Sequence, residues 1–173
     1  MTTTKSVFGV IFCILVVAAG LTLAFHCRIN MTNSMPRGLY REVNAPLKKG
    51  ALVEVCLPVS IAKLGLERHY IHPGNCPGQA EPLLKQVAGL TGDEIELQQG
   101  YVAINGKRWP NSATLYADEN QRIMPSIARG NYTLRQSEVW LMGLRDPRSW
   151  DSRYYGAIDQ QHIKSTVEPL LTW

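Results

Sequence analysis

Leu83-Leu84-Lys85-Gln86-Val87-Ala88-Gly89-Leu90-Thr91-Gly92-Asp93, followed by Glu94-Ile95-Glu96-Leu97, is the stretch whose reading decides the fold class. Residues 83–90 read as an apolar strand interrupted by one lysine. Thr91-Gly92-Asp93 turns the chain, and 94–97 alternates as a half-buried strand does. Gln98-Gln99-Gly100 then leads into Tyr101-Val102-Ala103-Ile104, and Asn105-Gly106 is a strong hairpin-turn signal, because both positions of such a turn need positive φ.

Working outward, Lys49–Pro58 predicts a strand stopped by Pro58, Val59–Tyr70 a short helix, and Ile71–Gly78 a loop. Asn111–Asn131 is polar and turn-rich, an excursion from the sheet, and Glu138–Gly143 is the last clear strand. No repeat or low-complexity segment is present. The expected fold is mostly β: short strands with loop and helix insertions.

The 173 residues leave room for one membrane segment and one domain of about 150 residues. At 45% hydrophobic and 18% charged the chain is not of the disordered class. A net charge of +4, dispersed and without a basic run, excludes a nucleic-acid patch and suits at most a mild affinity for anionic lipid headgroups.

Val7–Phe25 carries no charge, proline or asparagine. At about 1.5 Å per residue it reaches roughly 28 Å, near the thickness of a bilayer core. It is expected to be an uncleaved anchor; a cleaved signal peptide would have a shorter apolar core and end at its small residues, whereas this run continues past Ala18-Ala19-Gly20. The expected organisation is an anchor over 1–25 (span 7–25) and an exported domain over 26–173. Lys5 lies before the span and Arg28, Arg37 and Arg41 follow it, so the positive-inside count leans against an exported domain, but long translocated domains often override it and charge does not settle the orientation. Cys56 and Cys76 would close a loop of about 20 residues, worth roughly 3 kcal/mol if bridged; the spacing leaves a bridge and two separate thiols both open.

Three stretches carry candidate chemistry. The first is Met31-Thr32-Asn33-Ser34-Met35-Pro36-Arg37-Gly38-Leu39-Tyr40, a serine in a turn just beyond the apolar run. The second is Lys85 in its apolar strand. At its reference pKa of about 10.4 roughly 0.04% of a lysine is neutral at pH 7, and a shift down of about three units would make about 30% of it available as a base. A solvent-facing lysine is the bland alternative. The third is Met142–Gly156, whose Asp151 and Arg153 can hold a loop rigid through a charge-assisted pair. Other catalytic sets fail: the histidines have no Gly-x-Ser-x-Gly or His-Glu-x-x-His partner. His69, His72 and Cys76 lack a fourth ligand, so no metal or cofactor is expected.

Taken together, Ser-Met-Pro after a span, a lysine strand ending Gly89-x-x-Gly92-Asp93, and Ser149-Trp150-Asp151-Ser152-Arg153-Tyr154-Tyr155-Gly156 resemble the type I signal peptidases. Within that superfamily the short chain and Asn33-Ser34-Met35-Pro36-x-Gly38-Leu39-Tyr40 are most similar to the conjugative transfer signal peptidases, the TraF group. The chain departs from general signal peptidases at Gln86, where they place a basic residue, and at Gly143-Leu144-Arg145, where they carry Gly-Asp-Asn.

The resemblance implies a serine/lysine mechanism: Ser34 as nucleophile, Lys85 as base, and Ser149 orienting the lysine amine. It assigns the oxyanion hole to the Ser34 N–H with the Thr32 hydroxyl, and makes Asp151 and Arg153 supports. Gly89, Gly92 and Asp93 would shape the turn after the lysine strand. Met35, Leu39 and Leu84 are candidates for the walls of a substrate pocket, or plain core. The implied partner is a membrane-bound pilin precursor or other exported preprotein beside the lipid bilayer, and the implied setting is the inner membrane, with the domain on the periplasmic side. A general signal peptidase and a non-catalytic assembly factor of a pilus or secretion complex are the alternatives.

Overall fold

The computed structural model describes the backbone of residues 2–24 and 27–173, and the side chains of 7–21 and 27–173. The expected end of the apolar span, Phe25, lies outside the described residues. Helix α1 covers Thr2–Ala24, and its apolar residues from Val7 to Leu21, Phe8, Ile11 and Phe12 among them, are exposed. Among the described residues no helix is long and apolar enough to cross a membrane; the 7–21 portion rises only about 22 Å against a hydrocarbon core of about 30 Å.

Two antiparallel sheets form the rest. Strands β1 (Cys27–Asn30), β2 (Gly38–Val43), β3 (Leu52–Val55), β4 (Leu83–Gly89), β9 (Glu138–Met142), β10 (Ile158–Asp159) and β11 (Ile163–Thr172) make one sheet, in the order β1-β2-β11-β3-β4-β9-β10. Strands β5 (Glu94–Leu97), β6 (Val102–Ile104), β7 (Lys107–Arg108) and β8 (Gly130–Thr133) make the second, in the order β7-β6-β5-β8. The chain is mostly β, as its alternation predicts. Asn105 and Gly106, at φ 50° and 75°, turn β6 into β7. Helix α2 (Val59–Glu67) follows Pro58, and Ser152–Tyr155 forms a single turn, α3.

The apolar strands are buried on both faces, which is why they read as runs. Along β9, Val139 and Leu141 enter one core with Val53, Val55, Val87 and Trp150, while Trp140 and Met142 enter a second with Ile95, Leu97 and Val102. Lys85 shares the face of Leu83 and Val87 and is 3% exposed, so the solvent-facing alternative does not hold. Cys56 and Cys76 are bridged across a Cα–Cα distance of 5.4 Å, closing the loop that carries α2 between β3 and β4.

Strand β11 corrects the expectation that Glu138–Gly143 is the last clear strand. Pro169 breaks its pattern, because proline donates no ladder hydrogen bond. The pairing resolves this: β11 pairs β3 only through Val167, and β2 as far as Thr172 with a bulge between Pro169 and Leu171. At Pro169 the strand therefore has a neighbour on one side alone.

Candidate active site

Ser34 sits in the loop of the β1–β2 hairpin, closed by the pair Asn30 and Gly38. Met35, fully buried against Tyr40, Leu84 and Val167, pegs this loop to the domain. The Tyr40 hydroxyl donates to the Pro36 carbonyl at 2.6 Å. The Ser34 carbonyl accepts from the N–H groups of Leu144 at 2.8 Å and Arg145 at 3.3 Å, which ties the loop to the end of β9.

The Ser34 side chain is half-buried, its Oγ 3.1 Å from Thr32 Oγ1. Thr32 in turn donates to Asn30 Oδ1 at 2.8 Å. Among the described residues the Ser34 N–H has no protein partner, and no hydrogen bond joins Ser34 to Lys85.

Lys85 reaches the site from the middle of β4, and its Nζ donates to Ser149 Oγ at 3.0 Å. Burial lowers the ammonium from its ordinary value near 10.5 to about 8; the Asp151 carboxylate raises it and the Arg153 guanidinium lowers it, each by less than burial does. At pH 8 about half of Lys85 is neutral, against well under 1% for an exposed lysine.

The loop after β9 holds Ser149 by a dense polar network. Asp151 caps α3 and accepts from the Gly143 N–H at 2.9 Å. It pairs with Arg153 through both carboxylate oxygens, Nε to Oδ1 and Nη2 to Oδ2, each at 2.8 Å. Asp151 is 0% and Arg153 1% exposed. Nη2 of Arg153 also reaches the Ser149 carbonyl at 3.5 Å, and Nη1 the Asn111 carbonyl at 3.0 Å. Such a pair is tolerated in the interior because nearly every donor is used. A Cβ built on Gly143 would collide with the Ser149 side chain.

One cavity of about 220 Å³ is lined by Thr32, Ser34, Leu84, Lys85 and Ser149, with Arg28 and Glu81 at its sides. Met35 lines a neighbouring cavity of about 280 Å³ beside Arg37 and Arg145. Leu39 lines neither; it pairs across the sheet with Ile29 and Leu171. Cys76 is consumed by its disulfide, so His69 and His72 have no thiolate beside them to share. Asp93 caps the turn after β4, accepting from the Leu90 N–H at 2.8 Å and pairing with Lys49 at 2.9 Å. Asn30 carries no signal in the sequence: it lies before the serine motif, and a lone asparagine has neither periodicity nor spacing to mark it.

Comparison with known proteins places the chain in a family. The family model for signal peptidase, peptidase S26, matches residues 2–172. A plasmid transfer protein TraF of Escherichia coli is 38% identical over 156 residues, 90% of this chain and 88% of that protein. A probable conjugal transfer protein TraF of Sinorhizobium fredii is 32% identical over 149 residues, 84% of this chain and 77% of that one. Among solved structures, a signal peptidase I from Enterococcus faecalis V583 overlaps 70% of this chain and 97% of its own, at a TM-score of 0.42 and 16% identity. Matched over nearly its whole length, the chain belongs to the signal peptidase family, peptidase S26, and to the part of it that holds the TraF proteins.

Proposed function

We propose that this chain is a membrane-anchored serine endopeptidase of conjugative transfer that cuts a small exported pilin-like precursor. The observation that carries the reading is Lys85: buried, about half neutral at pH 8, held by Ser149, and lining one cavity with Ser34. Ser34 Oγ attacks the scissile carbonyl while its proton passes to the neutral Lys85 amine. The C–N bond then breaks, the leaving amine takes that proton, and an ester to Ser34 remains. Water or a substrate amine attacks the ester, giving a linear or a cyclic product. The Ser34 N–H and the Thr32 hydroxyl receive the oxyanion; one such donor is worth about 3–4 kcal/mol.

The anchor is α1. The 7–21 portion of α1 is apolar on all sides and exposed, which suits hydrocarbon better than water. The Cys56–Cys76 bridge favours the periplasmic side of the inner membrane, where disulfides persist. Ser34 then lies within about 30 Å of chain from the span, where a membrane-bound substrate emerges.

The test is the intact mass of the pilin precursor of the same conjugation system, co-expressed with wild-type enzyme and with Ser34→Ala. Wild type is expected to shorten the precursor, with a cyclic product lighter than the linear one by one water, and Ser34→Ala to leave it whole. Full processing in cells carrying either Ser34→Ala or Lys85→Ala would assign the cleavage to another peptidase and make the chain a non-catalytic assembly factor. Processing of unrelated exported precursors at the same rate would make it a general signal peptidase.

Gly143→Ala provides a second check. The added Cβ displaces Ser149 from the lysine amine, and misplacement by about 1 Å costs on the order of 10²-fold in rate. A kcat loss of that order in a variant that still melts cooperatively, a few degrees lower, is expected; unchanged kcat would show that Ser149 does not orient Lys85.

A further inference from the structure

Asn30 is 5% exposed at the neck of the β1–β2 hairpin, and its side chain points into the Ser34 loop rather than away from it. Its Nδ2 faces three backbone carbonyls: Pro36 at 2.9 Å, Met35 at 3.3 Å and Thr32 at 3.4 Å. Its Oδ1 accepts the Thr32 N–H at 3.2 Å and the Thr32 hydroxyl at 2.8 Å. The amide has one workable orientation, since a flip would set Oδ1 against those carbonyls.

The order of donors follows. Oδ1 of an amide only accepts, so the Thr32 hydroxyl proton points to Asn30 Oδ1. Thr32 Oγ1 can then serve Ser34 only as an acceptor, and in the 3.1 Å contact Ser34 is the donor. The Ser34 proton therefore faces Thr32 and not Lys85. For acyl transfer it must turn to the Lys85 amine while the Thr32 hydroxyl leaves Asn30 for the oxyanion; the Thr32 N–H stays on Oδ1 and keeps the loop in place.

We infer that Asn30 is a positioning residue of the Ser34 reaction: its amide clamps the nucleophile loop, and its carbonyl, through the Thr32 N–H, keeps the Thr32 hydroxyl beside Ser34. This rests on the serine/lysine reading of the site proposed above. Asn30 touches neither the reacting carbonyl nor Lys85, so its effect is transmitted through Thr32 and the loop backbone.

The experiment is steady-state cleavage of the purified pilin precursor in detergent micelles by the full-length chain, comparing Asn30→Ala, Thr32→Val, the double variant and Ser34→Ala. Asn30→Ala is expected to lower kcat on the order of 10²-fold, with KM changed less than about twofold. The double variant should be no slower than about the worse single variant, because residues acting through one network are not additive. An unchanged kcat, a loss carried by KM, or losses that multiply would overturn the inference. Should Asn30→Ala lack a cooperative melt, Thr32→Ser against Thr32→Val decides: serine keeps the hydroxyl and should exceed valine by at least about tenfold, and equal rates would overturn it. Activity in Ser34→Ala would instead remove the serine/lysine reading itself, whereas an inactive Ser34→Ala beside a normal Asn30→Ala would remove this inference alone.

Discussion

Lys85→Met is expected to abolish precursor cleavage while making the domain more stable at pH 7. Methionine has the length to fill the site of Lys85 on β4, but it carries no base, and general-base assistance is worth about 10²–10⁴-fold. Lys85→Arg should be equally inactive, because a guanidinium does not deprotonate near neutrality. The gain in stability follows from proton linkage. The folded ammonium titrates near 8 and the unfolded one near 10.5, so between those values the unfolded state binds the proton that the folded state has lost. The lysine's contribution therefore improves by about 3 kcal/mol as pH rises from 8 to 10.5, and is at its worst below 8. Lys85→Met should raise the melting temperature at pH 7 and lose that advantage as pH approaches 10.5. In the wild-type enzyme the same titration sets the activity profile: kcat/KM should climb about tenfold per pH unit below 8 and level off above it. An active Lys85→Met, or an acid limb unrelated to a group near pH 8, would rule Lys85 out as the base.

Arg153→Ala is expected to have the largest effect on folding. It removes the partner of Asp151, which is fully buried, and leaves a carboxylate whose remaining partners are the Gly143 and Arg153 N–H groups. Breaking a buried pair from one side costs about 3–5 kcal/mol, which for a domain of this size lowers the melting temperature by roughly 10 °C. It also frees the Ser149 and Asn111 carbonyls that Arg153 holds, so activity should fall with stability. Adding Asp151→Asn to Arg153→Ala removes the uncompensated charge and should restore part of the stability but little of the rate. A thermal melt of the two variants checks both parts; a fall of less than about 3 °C for Arg153→Ala would show that water reaches Asp151 and solvates it.

The strands that local chemistry marks were legible in the chain. Residues 83–89 and 138–142 are buried on two faces and so read as runs, while Glu94–Leu97 is buried on one and alternates. Asn105-Gly106 supplies its own turn geometry. β11 was not legible, because Pro169 is excluded from a strand with two neighbours and allowed where only β2 lies alongside. Which side of a strand is an edge is a property of the sheet, not of the strand's residues. Leu39 misled for the same reason: its place beside Ile29 and Leu171 depends on β1 and β11.

The site divides along the same line. Ser34, Lys85 and the Ser149–Gly156 segment were visible because their residue types and order are unusual enough to be matched as motifs. The state of Lys85 was not, since a lysine's pKa depends on the water removed from around it, and that water is displaced by β3, β9 and the loop carrying Trp150. Nor was Asn30, whose role comes from closing a hairpin over three carbonyls that lie up to six residues ahead. By itself the sequence determined the class of fold and the candidate reacting groups, because burial periodicity, turn chemistry and functional side chains are local properties. The tertiary structure alone decided that Lys85 is buried beside Ser149, that Cys56 meets Cys76, and that the Asn30 amide reaches the carbonyls of the serine loop. Each of these depends on segments distant in the chain, or on both ends of a loop, being brought within a few ångströms.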